Sequence, residues 1–301
     1  MLFFNVFFRT LGFLFAITIF IALINIIFFF IPENQSEAFS YVDGNKNSGN
    51  TIAILNLNGP IISNNSNYLT GNIYAYIEPK KVKKMIKSLN NKNVKALIIK
   101  INSPGGTVSA TVELANIIKD FKNNKKVKIY FFTEEILASG GYWVATQGNK
   151  IFAKYGSVIG SIGVSGPNWY FYNKPKSISY GLIGQSIETE DGVEVYSQNA
   201  GDSKDLFNPF RKPKIQELNH LQKMVEEIYN DFAIEVSKTR KIELDRVKKN
   251  IGALIYTSNQ AKENFLIDDV LNFNQLLNKI SKEQNMLDYK IIENKLDYNM
   301  F

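Results

Sequence analysis

Among the residues able to do chemistry, two glycine-bracketed serines stand out. Asn102-Ser103-Pro104-Gly105-Gly106 and Ala138-Ser139-Gly140-Gly141 each follow an apolar, strand-like run. A serine on a tight strand-to-helix turn exposes its hydroxyl, and a second glycine turn can aim a backbone N–H at the same point, as acyl transfer requires. Taken singly, each turn is ordinary. Ser-Pro-Gly is common turn chemistry, and Ser139 also reads as the N-cap of a helix over 141–146. As a pair they are more specific: the N–H groups of Gly106 and Gly140 can converge on an oxyanion beside the Ser139 hydroxyl.

A serine nucleophile needs a base. The chain has no cysteine and one histidine, His220, which removes thiol nucleophiles, disulfides and His/Cys metal clusters. His220 falls on a predicted helix over 214–238, off the apolar stripe of Ile215, Leu218, Leu221, Val225, Ile228, Phe232 and Val236, and reads as exposed and structural. Lysine is then the base that remains. Holding a lysine amine neutral near pH 7 takes about 3–5 kcal/mol of differential stabilisation, so it must be desolvated and short of carboxylate partners. Composition does not select that lysine. Lys204, flanked by Asp202 and Asp205, reads by itself as a surface residue. No metal or organic cofactor is required.

The elements that must position these residues follow from periodicity. Strands are predicted over 51–57, 94–101 and 127–133, with helical patterns over 79–89 and 109–121 between them, which implies βαβ units and a mostly parallel sheet. Both glycine turns would then emerge on one edge of that sheet, at the C-terminal ends of neighbouring strands. Shorter apolar runs follow at 151–153 and 158–164, then the long helix, a further helix over 244–250, and a capping-box signal at Thr257 to Gln260. Glycines 181, 184, 192 and 201 space out the segment between.

Near the N-terminus, Leu11 to Ile31 carries no charge and is long enough to cross a bilayer as a helix. A cleaved signal peptide would have a shorter apolar region and a small-residue cleavage site, whereas this one ends Phe28-Phe29-Phe30-Ile31-Pro32. Arg9 on one flank and Glu33, Glu37 and Asp43 on the other place the N-terminus in the cytoplasm and the remaining domain outside. The formal charge of +7 is spread along an Asn- and Lys-rich chain, consistent with solvated surface lysines and not with nucleic-acid binding.

Four ordered stretches resemble the signal peptide peptidase A family: IKINSPGGTVSAT at 100–111 with its lead-in, LASGGYWVAT at 137–146, YGSVIGSIGV at 155–164 and GDSKDLFNPFRKP at 201–213. A fifth, IYTSNQAKENFLIDDV at 255–270, is similar to that family's C-terminal segment. The resemblance implies an α/β fold of the Clp/crotonase-like superfold and a serine peptidase with a Ser/Lys dyad. Residue by residue it implies Ser139 as nucleophile, Lys204 as general base, Ser161 as the hydroxyl that holds the lysine amine, and Gly106 and Gly140 as oxyanion donors. The chain looks like the short, single-copy form, which implies a homo-oligomeric ring in which a neighbouring subunit completes the site and desolvates Lys204. Two departures bear on the substrate pocket: an acidic Glu134-Glu135 before the nucleophile, and Trp143 where tyrosine is common.

The resulting expectation is a cytoplasmic stub and transmembrane anchor over 1–32, a linker over 33–50, a peptidase domain over 51–285 and a tail over 286–301. The protein would be a single-pass, inner-membrane serine endopeptidase with its catalytic domain extracytoplasmic. It would hydrolyse remnant signal peptides or other membrane-derived peptides and touch membrane lipid through its first helix. A crotonase-like acyl-thioester enzyme and a catalytically silent membrane scaffold of the same fold are the competing readings.

Overall fold

The computed structural model describes residues 2–30, 38–63, 76–172, 177–181, 184–188 and 198–294. The chain divides into two units, 1–38 and 39–301. The first contains one helix, α1 (Leu2–Phe30). Its Phe4–Ile24 stretch is long and apolar enough to cross a membrane. The helix begins earlier than the charge-free run suggests, because Arg9 is no helix breaker. Residues 31–37, which include the end of the expected anchor and the start of the expected linker, lie outside the described residues.

The second unit is built on a seven-stranded sheet. Its elements in chain order are β1 (Phe39–Gly44), β2 (Thr51–Asn58), α2 (Pro79–Ser88), β3 (Val94–Asn102), α3 (Val108–Lys125), β4 (Lys128–Thr133), β5 (Ile136–Ala138), α4 (Gly140–Ala145), β6 (Lys150–Ala153) and β7 (Val158–Gly160). There follow β8 (Ser177–Gly181), β9 (Gly184–Glu188), α5 (Ile215–Arg240), α6 (Leu244–Arg246), β10 (Ile255–Thr257), α7 (Ser258–Glu263), β11 (Asp269–Val270), α8 (Phe273–Glu283) and β12 (Lys290–Asn294). The main sheet runs β1-β12-β2-β3-β4-β6-β11, and all its pairs are parallel except β1 with β12.

The near-continuous apolar run of β3 is what a strand covered on both faces demands. Ala96 and Ile98 join Ile52, Ile54, Tyr130, Phe132 and Phe152 in a cluster closed by Leu276, Leu277 and Ile280 of α8. The alternating residues Leu97, Ile99 and Phe131 are equally buried on the opposite face.

Two boundaries differ from expectation. The stretch read as a linker, 33–50, carries β1, anchored by the fully buried Phe39 and paired with β12. The stretch read as a tail, 286–301, carries β12, whose Ile291 and Ile292 are buried between β1 and β2. Both strands are short and set among Asn, Asp and Lys, so local composition hides pairing that forms only across about 250 residues of chain, as in Phe39 with Asn294. Residues 295–301 lie outside the described residues, as does Gly192.

The other elements fall close to their predicted spans. Helix α7 has the predicted capping box, with the Thr257 hydroxyl accepting from the Gln260 N–H. The helix expected over 244–250 is a short α6 that widens into a π-turn, Val247–Ile251.

Candidate active site

The two glycine turns do not leave one sheet side by side. β3 belongs to the main sheet, while β5 belongs to a separate three-stranded sheet, β10-β7-β5. A single backbone bridge joins them: the Ser103 N–H donates to the Ile136 carbonyl (2.8 Å) and the Ala138 N–H donates to the Ser103 carbonyl (3.0 Å). Asn102 holds the same junction. Its side-chain oxygen accepts from the Thr133 hydroxyl (3.0 Å) and from the N–H groups of Glu134 (3.1 Å) and Glu135 (3.0 Å). The acidic Glu134-Glu135 segment is therefore a turn fastened to the end of β3, and it delivers β5 to the site.

Ser139 follows β5 directly and has φ 52° and ψ −127°. A non-glycine residue at positive φ is strained, and such strain persists only where the surroundings over-determine it. Ser139 stands at the N-cap position of α4 but makes no side-chain cap hydrogen bond, so the ordinary N-cap reading fails. Its backbone N–H donates to the Gly160 carbonyl at 2.9 Å. The Ser103 side chain, in contrast, turns back on its own loop and accepts from the Gly105 N–H (3.2 Å).

Gly106 and Gly140 have free backbone donors. Neither N–H donates to an acceptor among the described residues, although the flanking Thr107 N–H is taken by the Ile61 carbonyl and the Ser139 N–H by Gly160. Both glycines are forced. A Cβ on Gly106 would lie inside the Ile61 carbonyl, and one on Gly140 would strike the Thr111 hydroxyl. Gly105, which the residue types did not single out, packs against Ser139. A Cβ there would come 2.9 Å from Ser139 Oγ, and its φ of +108° is one that side chains avoid.

Ser161 ends β7 as Ser139 ends β5, also at φ 52°. That turn stops the strand at Gly160, which is why the run expected over 158–164 is cut short. Its N–H donates to the Leu254 carbonyl (2.8 Å). Ser139, Gly140, Gly106 and Ser161 line one cavity of about 260 Å³ together with Val108, Thr111, Trp143, Val164, Phe232 and Ala253. Trp143 stacks on Phe232, ring centroids 4.6 Å apart at 6°, and the pair forms an apolar wall. Val108 and Thr111, three residues apart at the start of α3, had a signal in their spacing, since i and i+3 share a helix face.

The remaining predicted site residue lies elsewhere. Lys204 sits in the turn over 201–207, is exposed, and does not line the cavity within a single chain. Among the described residues it has no carboxylate in ion-pairing range, because Asp205 is taken. The Arg211 guanidinium grips Asp205 through Nε (2.6 Å) and Nη2 (2.8 Å) and Glu217 through Nη1 (2.9 Å) and Nη2 (2.8 Å). Arg211 thereby holds the Asp205 carboxyl below its usual range, and Arg211 with the Ser203 hydroxyl pulls Glu217 down to about 2. Trp169 lies under the Arg211 guanidinium (5.1 Å) and donates to the Asn208 carbonyl (3.1 Å). The D-x-x-N-P-F-R spacing is thus a clamp that fixes the turn presenting Lys204. His220 is exposed on α5.

The family model for peptidase family S49 matches residues 120–287, more than half the chain and a span that holds Ser139, Ser161 and Lys204. The chain belongs to peptidase family S49. Among similar proteins, a putative signal peptide peptidase SppA of Enterococcus faecium is 30% identical over 280 residues, covering 92% of this chain and 75% of that protein. The putative protease MJ0651 of Methanocaldococcus jannaschii is 31% identical over 207 residues, covering 69% of this chain and 62% of its own length. Protease 4 of Haemophilus influenzae is 30% identical over 237 residues, 77% of this chain and 35% of that longer protein. S49 membership and these protease relatives support a serine-type peptidase. Gly106 and the α3 side of the cavity precede the matched span.

Proposed function

We propose that the protein is a membrane-anchored serine endopeptidase of the Clp/crotonase-like superfold that uses a Ser139/Lys204 dyad. One observation carries the reading. A serine strained to φ 52° opens into a cavity beside two glycine N–H groups that have no acceptor among the described residues. Ser139 Oγ attacks the scissile carbonyl carbon, its proton passes to the Lys204 amine, and the carbonyl oxygen gathers negative charge between Gly106 and Gly140. As the tetrahedral intermediate collapses, the C–N bond breaks, the lysine returns the proton to the leaving amine, and water then hydrolyses the acyl-enzyme. The Ser161 hydroxyl holds the lysine amine.

In one chain the lysine is in water, so the dyad is completed by assembly. Ile215, Leu218 and Met224 on the first half of α5 are exposed, directly after the Arg211 clamp. A second copy packed on this face, within a ring, excludes water from Lys204 and brings it to a nucleophile. The apolar α1 anchors the chain in the cytoplasmic membrane, with the catalytic unit outside as the flanking charges indicate. Remnant signal peptides and other membrane-derived segments are the substrates within reach of such an enzyme. Loss of peptide hydrolysis in Ser139→Ala and Lys204→Ala, with folding and assembly intact, tests the reading.

A further inference from the structure

The cavity wall contains a buried hydroxyl that the proposed mechanism leaves unused. Thr111 is 1% exposed, lies on α3 one turn after Val108, and lines the cavity that holds Ser139. Its Oγ1 is the one buried side-chain oxygen or nitrogen among the described residues without a hydrogen-bond partner. A threonine inside a helix ordinarily satisfies its hydroxyl by donating to the carbonyl one turn back. Here the Thr107 carbonyl takes the Thr111 N–H (3.0 Å), and the hydroxyl stays unpaired. It packs against Gly140, where an added methyl group would strike it.

A buried hydroxyl left without a partner is costly, and the cavity is the space from which a partner can come. Besides the hydroxyls of Ser139, Ser161 and Ser165, the side chains around the cavity are apolar: Val108, Val164, Ala253, and the stacked Trp143 and Phe232. About 260 Å³ next to the nucleophile takes a peptide side chain, below the size of a typical small-molecule site. The side chain that reaches it is the one on the acyl side of the bond Ser139 attacks.

We infer that Thr111 is a specificity-determining residue, whose hydroxyl hydrogen-bonds a serine or threonine side chain at the acyl side of the cleaved bond. The inference rests on the peptidase reading and deepens it. A hydroxyl-bearing side chain satisfies Thr111 on binding, whereas an alanine or valine of the same shape leaves it unpaired in a water-excluded wall. The remaining apolar wall accepts the methyl of a threonine as readily as that of a valine.

The test compares kcat/KM for four peptides identical except at that position, serine against alanine and threonine against valine, in wild type, Thr111→Val and Thr111→Ser. Wild type is expected to favour each hydroxyl peptide about five- to tenfold, the factor that one net hydrogen bond yields. Thr111→Val, which keeps the shape and removes the orphan hydroxyl, brings both ratios to near unity; Thr111→Ser restores them. Ratios that are near unity in wild type, that persist in Thr111→Val, or an equal loss on all four peptides in that variant, overturn the inference. In each of those cases a serine-acylating probe that still labels wild-type Ser139 leaves the peptidase reading standing. A wild type that neither cuts the peptides nor takes the label removes the peptidase reading, and the role of Thr111 with it.

Discussion

Ser139 and Ser161 occupy equivalent places on paired parallel strands. Ala138 lies in register with Gly160, each serine comes one residue later, both have φ 52°, and the Ser139 N–H donates to the Gly160 carbonyl at 2.9 Å. The proposed nucleophile and its proposed supporting hydroxyl are thus set side by side by one β-ladder. Ser161→Ala is expected to keep the fold and lower kcat about 10- to 100-fold, the range for one hydrogen bond to a group that becomes charged. Steady-state kinetics with circular dichroism as the folding control checks this; an unchanged kcat would remove Ser161 from the site.

Gly105 tolerates no side chain. In Gly105→Ala the new methyl group would sit 2.7 Å from Ser139 Cβ and the backbone would be strained at φ +108°. A displacement of the nucleophile by about 1 Å costs on the order of 10²-fold in rate. Labelling by an acylating probe should slow by at least that factor, while the melting temperature falls only modestly. Wild-type labelling kinetics would mean that the loop gives way without moving Ser139.

Asn102 ties the end of β3 to the turn before β5 through three hydrogen bonds to one oxygen. Asn102→Ala leaves those donors unpaired and should destabilise the domain by about 1–3 kcal/mol, measured by urea denaturation. Activity is expected to fall further than stability alone explains, because β5 leads directly into Ser139.

Acid should loosen the turn that carries Lys204. The Asp205 and Glu217 carboxyls are depressed by Arg211, so their contribution is complete above the ordinary carboxylate range and is lost as pH falls through the folded values, for Glu217 from about 4.5 down to about 2. Hydrogen exchange over 201–213 should accelerate across that window before the main sheet opens. In Arg211→Ala the same exchange should be fast already at pH 7.

The apolar half of α5 gives a prediction about assembly. Leu218→Asp places a charge on the exposed stripe next to the Arg211 clamp. Sedimentation should show smaller species, and peptide hydrolysis should fall in parallel, with the single-chain fold retained. Full activity in a monomeric variant would place the dyad within one protomer.

Much of this was legible in local pattern. The run VKALIIKIN announces a doubly covered strand, and Thr257 with Gln260 announces a helix start; both depend on residues a few positions apart. β1, β12 and the separate sheet that carries β5 were not legible, because FSYVDG, KIIEN and ILA acquire strand character only from partners distant in sequence. The candidate site divides the same way. Ser139, Gly106 and Gly140 are marked by glycine turns, whereas Thr111 becomes conspicuous only once its hydroxyl is seen buried and unpaired. The acidic neighbour of Lys204 looked like an obstacle to an uncharged amine until Arg211 was found six residues on.

The dyad itself is tested most directly by covalent labelling of the full-length protein with a serine-acylating reagent, followed by mass spectrometry of the peptides. The expected result is a single acyl adduct on Ser139 that forms in wild type and is reduced at least 10²-fold in Lys204→Ala. An adduct on another serine, or labelling of Ser139 at the wild-type rate without Lys204, would contradict it.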